Sequence, residues 1–193
     1  MKRTHRINIF FFIFASVLAV LYAFPFAMVL LNSVKDKREV RNEPLAWPTE
    51  WKWDNFTEAI DRMDYWQALG NSLIITVLSV TAIIITSSML AYYLARSKTK
   101  FSAATFLILV ASMIVPFQAL MIPFVGLFGE RGLGLPGNQF TIAFFYVGFG
   151  VALSTFLYHG FISNIPTELD EAAALDGASD FTIFWKIIFP MLK

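Results

Sequence analysis

Apolar residues in this chain come in long unbroken runs rather than in alternation. Four runs stand out, at residues 9–31, 73–94, 103–124 and 140–161, and none contains Asp, Glu, Lys or Arg. At about 1.5 Å of rise per residue, a run of this length reaches roughly 33 Å, enough to cross a hydrocarbon core about 30 Å thick. Only helices and closed barrels satisfy their backbone groups in lipid, and continuous rather than alternating apolar runs select helices. The pattern predicts an all-α, polytopic transmembrane protein. The first run follows a basic start (Lys2, Arg3, Arg6), as a secretory signal would. It outlasts the roughly 7–15 residues of a signal's apolar core and ends without a small-residue cleavage site, so it reads as an uncleaved span.

Composition strengthens the same picture. Of 193 residues, 57% are hydrophobic and 15% charged, against about 45–50% and 25% in soluble domains. The net charge of +1 gives no footing for a nucleic-acid partner, and the absence of cysteine removes thiolate and disulfide chemistry. Charge in the short loops sets the expected orientation. Lys2, Arg3 and Arg6 precede the first run, and Arg96, Lys98 and Lys100 lie between the second and third. Both segments are expected in the cytoplasm by the positive-inside rule, which puts residues 32–70 and the turn at Glu130–Arg131 outside and everything after residue 161 inside.

Polar and small residues within the runs suggest packing and pathway features. Pro116 and Pro123 should kink or interrupt the third run. Gln118 lies between them and is a candidate for lining a translocation path, an interhelical hydrogen bond being the alternative. Ser72, Thr76, Ser79 and Thr86 share one helical face, and Gly148/Ala152 and Gly150/Ser154 have small-xxx-small spacing. Both sets read as packing faces rather than solute sites. The outer loop 32–70 holds Trp47, Trp51, Trp53, Tyr65 and Trp66, with an amphipathic helix expected over 54–66. These aromatics suit either a belt at headgroup level or a docking surface for an extracytoplasmic partner.

Several motifs fail on context. Residues 132–137 fit G-x-G-x-x-G but lie between two apolar runs, with no strand before them and no acidic residue about 20 positions on, and read as a flexible turn. There is no P-loop. His5 and His159 are too isolated for a metal site. Asn55-Phe56-Thr57 matches the glycosylation pattern, a match short enough to arise by chance. No nucleophile–base constellation is present, and no cofactor is expected.

The polar segment after the fourth run carries the strongest signal. Pro166 suits a first helical turn, and Glu168, Asp170 and Glu171 complement the helix dipole there. Ala172, Ala173 and Ala174 favour helix and leave a slim face that another protein could approach. Gly177 can take positive φ and stop the helix. Ser179 can cap a second helix, with Phe181, Phe184, Trp185 and Ile188 on one side and Pro190 at its end. Spacing alone leaves an ordinary cytoplasmic loop as an equal alternative.

The run Glu171-Ala172-Ala173-x-x-Asp176-Gly177-Ala178, followed by Phe184, Ile187 and Pro190, resembles the EAA motif of ABC importer membrane subunits. Asn32-Ser33, Trp51 to Phe56, Asn71 to Ile74 and Ile165-Pro166-x-Glu168-Leu169 extend the likeness to the carbohydrate-uptake branch, the permeases like the maltose-type inner subunits. The resemblance implies a type I ABC importer permease fold, with a core permease domain over 71–193 behind a first span at 9–31. Four of about six expected spans are present, so a C-terminally truncated chain is expected. It further implies a non-enzymatic subunit of the cytoplasmic (inner) membrane that carries a sugar or polyol-like solute. Implied partners are a separate ABC ATPase, a second permease subunit in a heterodimer, an extracytoplasmic solute-binding protein and membrane lipid. The loop 163–193 would hold the ATPase-coupling residues Glu171, Ala172, Ala173, Leu175, Asp176, Gly177 and Ala178. Glu171 would pair with a basic group, the alanines would permit close docking and Gly177 would set the turn. A non-ABC transporter, a channel or a structural membrane module is the alternative. The lack of ionisable groups within the spans, His159 aside, counts against ion coupling.

Overall fold

The computed structural model describes the backbone of residues 2–192 and the side chains of residues 9–192. The basic residues Lys2, Arg3 and Arg6, and also His5, have side chains outside the described set. Among the described residues, three helices are long and apolar enough to cross a membrane, Ile9–Ser33, Tyr65–Arg96 and Gln139–Ser163, and a bent pair, Lys100–Ser112 with Phe117–Phe128, would make a fourth span if counted as one. The chain divides into two compact units, Met1–Leu69 and Gly70–Lys193.

The first unit holds α1 (Lys2–Ser33), α2 (Lys37–Asn42) and α3 (Asp54–Arg62). The described part of α1 is exposed nearly all round: Phe12, Val20 and Tyr22 are each at least 70% exposed although on different faces. A helix apolar on every face needs lipid or another subunit around it. The loop beyond α1 is tied down by polar groups. Asp36 caps α2 by accepting from the Arg38 N–H at 2.8 Å. The Lys35 side chain is buried, and its Nζ donates to the Glu43 and Pro44 carbonyls at 3.1 and 3.2 Å. A cation at the end of α2 offsets the negative pole of that helix. Asn55 Nδ2 donates to the carbonyls of Ser33 and Lys35 at 2.9 and 3.0 Å. The asparagine of the Asn-Phe-Thr triplet is therefore a structural clamp.

The aromatic loop differs from expectation at one point. The amphipathic helix is shorter than 54–66: it ends at Arg62, Asp64 turns the chain with φ +46°, and a new helix starts at Tyr65. Tyr65 and Trp66 thus open a long membrane helix instead of closing a loop helix. The apolar run marks only the part of a helix that lipid must cover, so helix extending into the interface is invisible to it. Trp51, Trp53 and Phe56 stack in series, with centroids 5.9 and 6.2 Å apart.

The second unit contains most of α4 (Tyr65–Arg96), and then α5 (Lys100–Ser112), α6 (Phe117–Phe128), α7 (Gln139–Ser163) and α8 (Glu168–Leu175). A final helical stretch runs from Asp180 to Met191, comprising α9 (Asp180–Ile183), a π-helical turn (Phe184–Ile188) and α10 (Phe189–Met191). The third apolar run is not one straight rod. It divides into α5 and α6, inclined at 99° to each other. Pro116 causes the break. It supplies no N–H, and its ring pushes Val115 out of helical geometry. Pro123, by contrast, is carried inside α6. Both pieces pack on α7 through rings. Phe106 lies 4.2 Å from His159, and Phe124 lies 4.6 Å from Phe145, centroid to centroid. His159 is thus one wall of an aromatic stack.

The buried stripe of α4 consists largely of small residues, only partly those expected. On α4, Ser79 is buried as predicted. Thr76 and Thr86 are exposed, and Ser87, Ser88 and Ala91 complete the buried stripe. Each buried serine donates to a carbonyl one turn back, which lets a hydroxyl enter an apolar contact without an open bond. Of the two small-residue pairs on α7, Gly150 makes the close approach: a Cβ there would lie 2.7 Å from Ile83 Cδ1. Gly148 faces open space, although Ala152 is buried. The glycine-rich turn is also more ordered than a flexible linker. Leu133, Gly134 and Leu135 donate to the carbonyls of Leu127, Gly129 and Phe128 at 2.7–3.0 Å, closing the end of α6.

The Gly150 contact yields a quantitative expectation. Gly150→Val should cost about 1–3 kcal/mol, the usual range for overpacking. Ile83→Ala in the same chain should restore part of that loss. Detergent thermal unfolding of the single and double variants measures both, and additive losses would contradict the contact.

Candidate functional site

The segment after α7 forms a knob on a buried base. The α8 helix begins at Glu168, two residues past Pro166, with Thr167 as its cap residue and no side-chain cap bond. The proline therefore precedes the helix instead of occupying its first turn. Three acidic residues in the opening turn offset the uncapped N–H groups electrostatically. They point different ways. Glu168 and Glu171 are exposed, whereas the Asp170 side chain is only 15% exposed.

The end of α8 is a Schellman turn. Gly177 has φ +84°, its N–H donates to the Ala174 carbonyl at 3.0 Å, and the Ala178 N–H donates to the Ala173 carbonyl at 3.0 Å. The small pair Ala173 and Ala178, brought together by that bond, packs against the buried cluster below. Ser179 then starts the next helix by accepting from the Thr182 N–H. The expected stop at Pro190 is displaced. The chain widens to a π-turn over Phe184–Ile188, with the Phe189 N–H reaching the Phe184 carbonyl, and continues to Met191. A widened turn admits a proline, because it relieves the clash between the ring and the carbonyl four residues back.

The base of the knob joins three elements. Ile183, Phe184 and Ile188 are buried with Ala91 of α4 and Ile162 of α7. The predicted apolar side is thus right for Phe184 and Ile188. Phe181 is 66% exposed, and Ile183 takes the buried place instead. Beside this cluster lies a polar one. Arg96, the last residue of α4, donates from Nε to Asp170 Oδ2 at 2.7 Å and from Nη2 to Oδ1 at 3.4 Å. Its Nη1 donates to the carbonyls of Ile165 and Ile162 at 3.1 and 3.4 Å. The Tyr92 hydroxyl donates to Asp170 Oδ2 at 3.2 Å. An open groove of about 690 Å³ runs past these groups, lined also by Lys98, Glu171 and Phe181.

The expected coupling residues fall together on the knob. Glu171, Ala172, Leu175, Asp176 and Gly177 are exposed, while Ala173 and Ala178 are half-buried toward the base. Leu175 stands out at 90% exposure. Gln118 lies elsewhere, exposed in the first turn of α6, and among the described residues its side chain makes no hydrogen bond. Sequence reading missed Arg96 and Tyr92. Arg96 registered only as one of three loop cations, and nothing separated Asp170 from its acidic neighbours. The usable signal was the tyrosine one turn before an arginine at the end of an apolar run.

Residues 83–193 match the family model described as the binding-protein-dependent transport system inner membrane component. The chain belongs to that family. The matched stretch begins at Ile83, so it contains Arg96, Asp170 and the whole knob and base of this family member. Over all 193 residues the chain is 41% identical to a probable starch degradation products transport system permease protein of Thermoanaerobacterium thermosulfurigenes, covering 69% of that protein. It is 37% identical to a melibiose/raffinose/stachyose import permease protein of Bacillus subtilis, over 93% of this chain and 64% of that one. A multiple sugar-binding transport system permease protein of Streptococcus mutans is 32% identical, with coverage of 100% and 70%. The fold is that of a chain in a crystal structure of a bacterial ABC transporter involved in alginate import, at a TM-score of 0.81 and 23% identity over 99% of this chain and 66% of that one. The chain thus spans about two thirds of the length of these relatives. The family places it as a multi-pass inner-membrane component.

The Schellman turn can be tested directly. No atom lies within 4 Å of a Cβ built on Gly177, so the cost of substitution is conformational. Gly177→Val should destabilise the turn by at least about 1–2 kcal/mol, and Gly177→Asn by less. Hydrogen exchange of the Ala178 amide reports the difference; equal protection in all three proteins would contradict the turn's dependence on positive φ.

Proposed function

We propose that this chain is the membrane-spanning permease subunit of an ATP-binding-cassette importer, carrying a sugar or related polyol-like solute. The knob of α8 couples it to a separate ATPase, and an extracytoplasmic binding protein delivers the solute. A second permease subunit completes the pathway as a heterodimer. The N-terminus lies in the cytoplasm, on the same side as Arg96, Lys98 and Lys100. The solute class rests on the sugar relatives, whose names give sugars as their cargo. Gln118 lines the translocation path in this reading, supported by an exposed polar side chain beside a break in a membrane helix.

The observation that carries the reading is Leu175. A leucine at 90% exposure on the tip of a short polar helix is costly in water, since burying such a side chain is worth about 1.5–3 kcal/mol. It makes sense as an anchor for a cleft. Ala172 beside it has almost no bulk, so a partner's wall can come close. Glu171 and Asp176 supply charge at the rim of the contact. The knob can move as a unit because its own turn closes it. Nucleotide-driven closure of the ATPase would then displace the knob, and the spans attached to its base would follow.

Reversing one charge tests this. Glu171→Lys should weaken association with the ATPase roughly tenfold or more, because like charges set against each other at an interface cost several kcal/mol. Membrane insertion should be unaffected. Co-purification and binding of the cognate ATPase to the complete transporter measure the effect. Wild-type affinity in the variant would remove Glu171 from the contact, and wild-type affinity in Leu175→Asp as well would remove the knob.

A further inference from the structure

We infer that Arg96 is a positioning residue that makes α8 and the spans move together, so that it acts as the latch of the coupling step. The inference rests on the function proposed above. Its starting point is the number of elements one guanidinium serves. Arg96 ends α4, donates to the carbonyls of Ile162 in the last turn of α7 and of Ile165 just beyond it, and donates to both oxygens of Asp170 on α8. Among the described residues, Asp170 is the one α8 side chain that hydrogen-bonds to either long helix.

The two attachments of the knob differ in kind. Apolar contact through Ile183, Phe184 and Ile188 holds the base against Ala91 and Ile162. Such contact is non-directional, so it holds the base close without by itself fixing the angle of α8. A planar guanidinium facing a carboxylate and two carbonyls fixes both distance and angle. The pair is shielded, with side chains 16% and 15% exposed, so water and salt screen it weakly. Tyr92 adds a third donor to the same carboxylate from one turn further back on α4. Rotation of α8 therefore pulls on the ends of α4 and α7 together. Lysine could not replace this geometry, because a compact ammonium has no rigid fork to span the four acceptor atoms.

These 193 residues contain no cysteine, so once any cysteines elsewhere in the transporter are replaced, each introduced cysteine is the sole labelling site. Leu169→Cys on α8 and Phe140→Cys at the far end of α7 are exposed reporters. Each is labelled with an environment-sensitive fluorophore in the assembled full-length transporter, and a non-hydrolysable ATP analogue is added. With Arg96 intact both reporters should respond. In Arg96→Gln the ATPase should still bind and the Leu169 reporter still respond, while the Phe140 response falls about fivefold or more, the lower range for coupling between distant sites. Arg96→Lys should fall between the two. An undiminished Phe140 response in Arg96→Gln would overturn the latch, as would loss of ATPase binding in both variants, which would mark a purely structural role. Failure of the unsubstituted protein to bind the ATPase would instead overturn the functional reading, and the latch with it.

Discussion

The knob and its base depend on how one cation is satisfied at the end of a long apolar helix. Arg96 stands at the last residue of α4, and a guanidinium there must find acceptors. The carbonyls of Ile162, in the last turn of α7, and of Ile165, just past it, supply two. A carboxylate entering the same space needs a countercharge. Arg96 and Asp170 meet both needs at once. The gain is chiefly one of geometry. Removing charges from water costs about as much as their attraction returns, so such a pair adds more definition than stability.

Around that point the chain builds an anchored base and a free tip from one short segment, residues 166–192. Ile183, Phe184 and Ile188 are sunk among the ends of the long helices, whereas Leu175 projects into solvent. Positive φ at Gly177 separates the two regimes, reversing the chain without using side-chain bulk. The π-turn ahead of Pro190 then lets an amphipathic helix continue past a residue that would ordinarily end it. A firm base with an exposed apolar tip is the arrangement expected of a part that receives force from elsewhere.

Much of this was open to reading before any coordinates. The apolar runs at 9–31, 73–94 and 140–161 each lie within a helix of the structure, and Gly177 occupies its turn as the residue pattern suggested. Other readings needed correction for identifiable reasons. Hydropathy could not show that α4 begins at Tyr65, because interfacial residues are polar in a helix and in a loop alike. Pro116 and Pro123 marked a kink or interruption but neither that Pro116 alone makes the break nor its 99° consequence, since a proline specifies a missing bond and leaves the direction of the next helix to packing. The serine stripe was misplaced by one face, as period alone does not say which side of a uniformly apolar helix meets protein and which meets lipid.

The sequence by itself determined the class of the molecule, the existence of its long helices and the residues of the exposed knob. These follow from local causes: unbroken apolar length, helix propensity, and the one residue type at ease with positive φ. Tertiary structure alone decided that Asp170 turns inward while Glu168 and Glu171 face out, that Ile183 replaces Phe181 in the base, and that Arg96 meets a carboxylate 74 positions away. Those outcomes depend on how helix ends approach one another in three dimensions, and no local pattern along the chain encodes that distance.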